Sequence, residues 1–134
     1  MSEKIEWSLN VQVSGGPRIF GSDSLSVDAY DKFEIDVPET DGKVLVKVQP
    51  GDASLVQFVL IASDNYEDLT CTIDPDTVDP SEPSAGPKFN IDQPLVLIGP
   101  GASSLLGKKQ KEFEFANAAD SKASVVILIG RNLK

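Results

Sequence analysis

The chain has no histidine among its 134 residues. That absence removes Ser-His-Asp and Cys-His nucleophilic arrangements and the usual His-ligated zinc sites. Acid–base chemistry near neutral pH would fall to carboxylates, to Tyr30 or Tyr66, or to a lysine of depressed pKa. Cysteine is nearly as scarce. Cys71 stands alone, so no intramolecular disulfide and no Cys-only metal site can be built. In Leu69-Thr70-Cys71-Thr72-Ile73 it alternates inward with its apolar neighbours, and a buried thiol behaves as a small hydrophobe.

Long hydrophobic runs are lacking too. A membrane helix needs roughly 20 apolar residues, and the longest stretch of large aliphatic residues here is the five at 125–129. The first residues, Met1-Ser2-Glu3-Lys4-Ile5-Glu6-Trp7, show no apolar h-region of a signal peptide. With the single cysteine, this gives the expectation of a cytoplasmic protein, or of a piece of a particle assembled in the cytoplasm.

Positive charge is in short supply. Twelve Lys and Arg stand against 21 Asp and Glu, a net charge of −9 that repels a phosphate backbone or an anionic bilayer. Neither nucleic acid nor membrane is expected as a partner. Lys108-Lys109-Gln110-Lys111 is the local exception, and with no aromatic residue interleaved to stack on bases it reads as a solvated flank. A phosphate-cradling GxxxxGK loop is also missing, because Gly99-Pro100-Gly101 lacks the Lys-Ser/Thr that must follow. Aromatics are few. Trp7, Phe33, Phe58, Phe89, Phe113 and Phe115 fall on inward-alternating positions, leaving Tyr30, Tyr66 and Phe20 as the candidates for a carbohydrate platform.

What is present is strand after strand. Ala123-Ser124-Val125-Val126-Ile127-Leu128-Ile129-Gly130 is apolar on both parities and rich in β-branched residues, the pattern of a central strand covered on both faces. Residues 4–13 alternate without a break, with Ile5, Trp7, Leu9, Val11 and Val13 expected on a core and the polar residues between them in water. Ser14-Gly15-Gly16-Pro17 ends that strand. A brief strand at 18–20 is predicted to stop at Gly21-Ser22-Asp23-Ser24. Residues 25–30 and 32–37 then fit either two half-buried strands or one long strand bent near Asp31. Pro38-Glu39-Thr40-Asp41-Gly42 predicts a tight hairpin turn, with Asp-Gly supplying the positive-φ residue. Further strands are predicted at 43–48, 54–62, 69–73, 88–91, 94–99 and 111–116. The segment 102–107 reads as a loop or a single helical turn.

Residues 74–87 carry four prolines and four acids, which preclude a ladder or a helix interior and predict a surface loop. About nine short strands separated by turn signals, with no convincing amphipathic helix, predict one all-β domain over residues 1–134. Its expected form is an antiparallel two-sheet sandwich, jelly-roll-like.

Three segments, 55–62, 95–98 and 125–129, are apolar on both faces, whereas a sandwich strand normally buries one and wets the other. With no helices to cover the second face, the long loops fold over it, for which the acidic Pro-rich loop is a poor lid with little apolar surface beyond Val78, or a second copy of the chain packs there, or the strands close into a tight barrel; the second copy is the expectation. The candidate interface is Leu95, Leu97, Val125, Ile127 and Ile129, or the opposite parity, Val96, Ile98, Val126 and Leu128.

No resident cofactor is expected. Calcium, which takes several oxygen ligands, is the metal to consider, at Asp64, Asn65, Glu67 and Asp68 or at Asp74, Asp76 and Asp79. The second set lacks the glycine, the bidentate glutamate and the helices of an EF-hand. The carboxylate pairs Glu34/Asp36, Glu112/Glu114 and Asp28/Asp31 keep a carboxylate-only enzyme formally open. The main expectation is a non-enzymatic structural or protein-interaction module, self-associating or bound to other assembly proteins. The alternative is a small-ligand module that takes carbohydrate or calcium through its acidic loops.

Overall fold

Polar–apolar alternation carries the chain through ten strands in the computed structural model, which describes residues 3–48, 53–75, 86–107 and 110–133. They are β1 (Glu3–Gln12), β2 (Arg18–Val27), β3 (Ala29–Val37), β4 (Gly42–Lys47), β5 (Val56–Ser63), β6 (Leu69–Ile73), β7 (Lys88–Asn90), β8 (Leu95–Ile98), β9 (Glu112–Asn117) and β10 (Ala123–Arg131). The helical content is slight: a single turn, α1 (Pro100–Ser103), and short 3-10 turns at Ala53–Leu55 and Ser104–Leu106. The all-β, antiparallel expectation holds.

Eight strands form two four-stranded sheets, with orders β3-β10-β5-β8 and β4-β9-β6-β7, and among the described residues β1 and β2 pair only with each other. One core lies between the two large sheets. It joins Val37 of β3, Val59 and Ile61 of β5 and Val125, Ile127 and Ile129 of β10 to Val46 of β4, Leu69, Cys71 and Ile73 of β6 and Phe113 and Phe115 of β9. Each fully buried side chain of this size contributes about 1.5–3 kcal/mol of transfer free energy. The chain passes between the sheets in nested fashion: the β3–β4 segment runs beside β10–β9, and β5–β6 runs beside β8–β7.

The turn regions depart from the sequence reading in three places. Gly21-Ser22-Asp23-Ser24 does not stop a strand, because β2 pairs with β1 along its whole length, from Arg18 opposite Gln12 to Val27 opposite Glu3. The ladder supplies what local propensity does not. The bend falls at Asp28 rather than Asp31, where the Asp28 N–H donates to the Arg131 carbonyl at 3.1 Å and the Asp28 carboxylate accepts from Leu133 N–H at 2.9 Å. The 38–42 turn makes no hairpin, since β3 and β4 lie in different sheets. Its positive-φ residues are Thr40 (φ 60°) and Asp41 (φ 63°), while Gly42 is required because a Cβ there would fall on the Pro38 carbonyl.

The largest departure is in β1. Its apolar parity was expected on a core, yet Leu9 is 53% exposed and Val11 and Val13 are about as open. Trp7 is half-buried and belongs to no core cluster. The cause is topological: a hairpin whose only partner strand is its own second strand has no sheet to lie in.

Candidate assembly surface

Antiparallel partners project to the same side, so the registers sort every strand residue by face. In the β3-β10-β5-β8 sheet, Ile127 stands opposite Phe33 and Ile61, and Leu95 opposite Ile61, all directed at the core. The first predicted interface set, Leu95, Leu97, Val125, Ile127 and Ile129, is therefore spent inside the single chain. This corrects that parity: Val125, Ile127 and Ile129 are buried, and Leu95 and Leu97 pack against the same core. The opposite parity lies together on the outer face. Leu128, Leu60 and Val96 are consecutive partners across β10, β5 and β8, flanked by Val126 and Ala62 on one side and by Gly130, Phe58 and Ile98 on the other.

The two outer faces differ in kind. On the β4-β9-β6-β7 sheet the outward residues include Lys43, Lys47, Glu112, Glu114, Thr70, Thr72 and Lys88, with Lys47 opposite Glu112, and Leu45 is the large apolar exception. That is an ordinary wet face. On the other sheet the β3 column, Tyr30, Lys32, Glu34 and Asp36, is polar, as is Ser124 at the end of β10 beside Asp36, and the three strands beyond β3 otherwise present mainly aliphatic side chains. Leu60, Val126 and Leu128 are half-buried and Val96 is 46% exposed.

The hairpin meets this outer face at one end. Gly130 lies beneath Ile5 and Val27, and Phe58 is buried beside them without joining the main core. By register Ile5, Trp7, Leu9 and Val11 share a face with Leu25 and Ile19, whereas Lys4, Glu6, Ser8, Asn10 and Gln12 share the other with Arg18 and Phe20. The apolar face is covered at its base and bare towards its tip: Val27 is buried, Ile5, Trp7 and Leu25 are half-buried, and Ile19 is 66% exposed.

The chain matches no family model, no curated protein and no solved structure. Its surfaces have to be read on their own chemistry.

Three of the seven calcium candidates, Asp64, Asn65 and Asp74, are committed to the backbone. The Asp64 carboxylate accepts from Ser124 N–H at 2.8 Å. Asn65 accepts from Glu67 N–H through Oδ1 and donates through Nδ2 to Ser121, tying the β5–β6 loop to the turn before β10. Asp74 receives three backbone N–H groups, from Gln110 (2.8 Å), Lys111 (2.8 Å) and Glu112 (3.0 Å), and so fixes the entry to β9. Glu67 and Asp68 are exposed, while Asp76 and Asp79 lie outside the described residues, as do Lys108 and Lys109 and most of the 74–87 loop. No group of three or more potential metal-binding Asp, Glu or Cys side chains gathers among the described residues.

The carboxylate pairs Glu34/Asp36 and Glu112/Glu114 each lie two residues apart on an outward strand face. Glu34 meets Lys32 at 3.0 Å, Asp36 accepts from Ser124 Oγ, and Asp31 accepts from the Arg131 guanidinium at 3.2 Å in a partly buried pair. Of the three candidate aromatic platforms, Tyr66 packs on the core and accepts from Ser63 N–H, and Phe20 is 75% exposed beneath the Arg18 guanidinium. Tyr30 stands apart on the outer face of β3. Cys71, the one thiol, is buried opposite Phe89 and Phe115, and burial, aided by the Glu114 charge, pushes its pKa up to about 12. No helix among the described residues is long and apolar enough to cross a membrane.

Proposed function

We propose that this protein is a non-enzymatic structural or protein-interaction module that works as a homo-oligomer, with the fold of a jelly-roll sandwich. The fold reading rests on the nested strand order, which has the two-sheet, eight-strand form of jelly rolls. The functional reading rests on one observation: the outer face of the β3-β10-β5-β8 sheet is aliphatic across three strands, and the hairpin beside it holds a second aliphatic face open to water. Soluble monomers rarely leave contiguous apolar surface of this extent uncovered. A chain with no histidine, a buried and protonated thiol, and Asp64 and Asp74 committed to backbone groups offers little for catalysis and much for contact.

Carbohydrate or calcium binding through the acidic loops has less support, because Asp64, Asn65 and Asp74 already serve main-chain partners. Light scattering on the full chain over a dilution series, with and without calcium, tests both readings. A stable mass above the 14.4 kDa of one chain, indifferent to calcium, is the expected result. A 14.4 kDa species at every micromolar concentration overturns self-assembly.

A further inference from the structure

Resting on that reading, we infer that the β1–β2 hairpin is an exchanged arm: its apolar tip, Leu9, Val11 and Ile19, seats on the outer sheet face of a second copy at Leu60, Val96 and Leu128. The docking mode is already in place within one chain. At its base the hairpin lays Ile5 and Val27 on the Gly130–Phe58 row of the outer face, the row next to Leu128-Leu60-Val96. The exposed tip belongs to the same hairpin face that rests on this sheet at its base, and the half-buried and exposed row Leu128-Leu60-Val96 continues the surface that receives it. Each copy holds half of an interface it does not complete.

The arm does not complete it in cis. Were it to lie along its own sheet, Leu9, Val11 and Ile19 would be covered, yet they are 53%, 49% and 66% exposed. Among the described residues the hairpin has no strand partner beyond itself. From Ile5 to Val13 it extends for roughly 25 Å at about 3.3 Å per residue, long enough to cross the width of a neighbouring four-stranded sheet at about 4.8 Å per strand.

Charge favours a second copy as the occupant. The chain carries −9, but within residues 3–27 Glu3, Glu6 and Asp23 stand against Lys4 and Arg18, so the arm contributes only −1. A nearly neutral arm can approach the acidic body of another copy without a large repulsion, and exchange of identical elements is a low-cost route to closed assemblies.

The test uses the full chain and exposed positions, where substitution does not threaten the fold. Val11→Asp with Ile19→Asp on the arm, and separately Val96→Asp on the sheet, are each expected to shift the solution mass from the oligomer to 14.4 kDa without loss of the thermal transition. Mixing a Val11→Cys chain with a Val96→Cys chain under mild oxidation is expected to yield a covalent heterodimer, with Cys71 silent because it is buried. An oligomer that survives both sets of Asp substitutions and gives no cross-link overturns the exchanged arm and leaves self-assembly standing. A cross-link formed within one chain carrying both cysteines, in preference to between chains, also overturns it. A wild-type monomer overturns the arm and the self-assembly reading together.

Discussion

Gly130 lies directly under Ile5: a Cβ built on Gly130 would come within 2.6 Å of the Ile5 Cδ1 and 3.2 Å of a Val27 methyl. This contact is where the hairpin joins the two-sheet body, and it is made by the last long strand of the chain and the first. The obstacle to a larger residue is the far end of a flexible side chain.

Gly130→Ala is accordingly expected to change stability by no more than about 1 kcal/mol, with Ile5 turning aside. Gly42→Ala places its methyl on the Pro38 carbonyl and within 2.8 Å of the Pro38 Cβ, where backbone must move. It is expected to cost roughly 2–3 kcal/mol. Urea unfolding of both variants decides; a Gly42→Ala loss no larger than that of Gly130→Ala contradicts this account.

Asn117 is fully buried and completely used. Its Nδ2 donates to the Val37 carbonyl (3.3 Å) and the Ser121 carbonyl (2.9 Å), and its Oδ1 accepts from Ala119 N–H (3.0 Å). It thereby ties the end of β3 in one sheet to the turn leaving β9 in the other. Asn117→Ala strands these groups and is expected to destabilise by about 3 kcal/mol. Asn117→Leu fills the space and still leaves two carbonyls and one N–H unpaired, so chemical denaturation should find it nearly as damaging.

Cys71 gives a pH signature. Its thiol rises from 9.0 to about 12 on folding, because burial and then the Glu114 charge disfavour the thiolate. A folded-state pKa above the unfolded one contributes stability that is whole below pH 9 and is lost as pH climbs towards 12, at up to about 1.4 kcal/mol per pH unit. Stability curves of the wild type and Cys71→Ala should converge across that window. Equal alkaline slopes in the two proteins would assign the loss to other groups. Thiol reagents should react only after unfolding.

Ile127 and Leu128 are neighbours on one strand with opposite fates. Ile127 points into the core between Phe33 and Ile61, and Leu128 points out between Lys32 and Leu60. Ile127→Ala is expected to cost roughly 2–5 kcal/mol of folding stability. Leu128→Asp should leave a cooperatively folded chain and weaken self-association instead. Circular dichroism with light scattering separates the two effects, and a Leu128→Asp chain that fails to fold would place that side chain in the monomer core.

Much of this was legible beforehand. The all-β class, the 69–73 strand and the two-sided character of 125–129 follow from alternation and β-branching, which are local properties of the chain. Alternation also told which residues share a face in β1. It does not tell whether that face is covered, and Leu9, Val11 and Val13, inward by pattern, reach no core. Nor could it show that Asp64, Asn65 and Asp74 would be taken up by main-chain N–H groups, since those partners are 36 to 60 residues away or are fixed by a turn two residues on.

The sequence by itself determined where strands form and how their side chains alternate, because both depend on each residue and its immediate neighbours. The tertiary structure alone decided which parity of β10 and β8 faces the core and which lies on the outer face. It also left β1 and β2 to pair with each other rather than join a sheet. The physical reason is the same in both cases: coverage is a property of the surface opposite, and strand pairing, not the strand, chooses that surface.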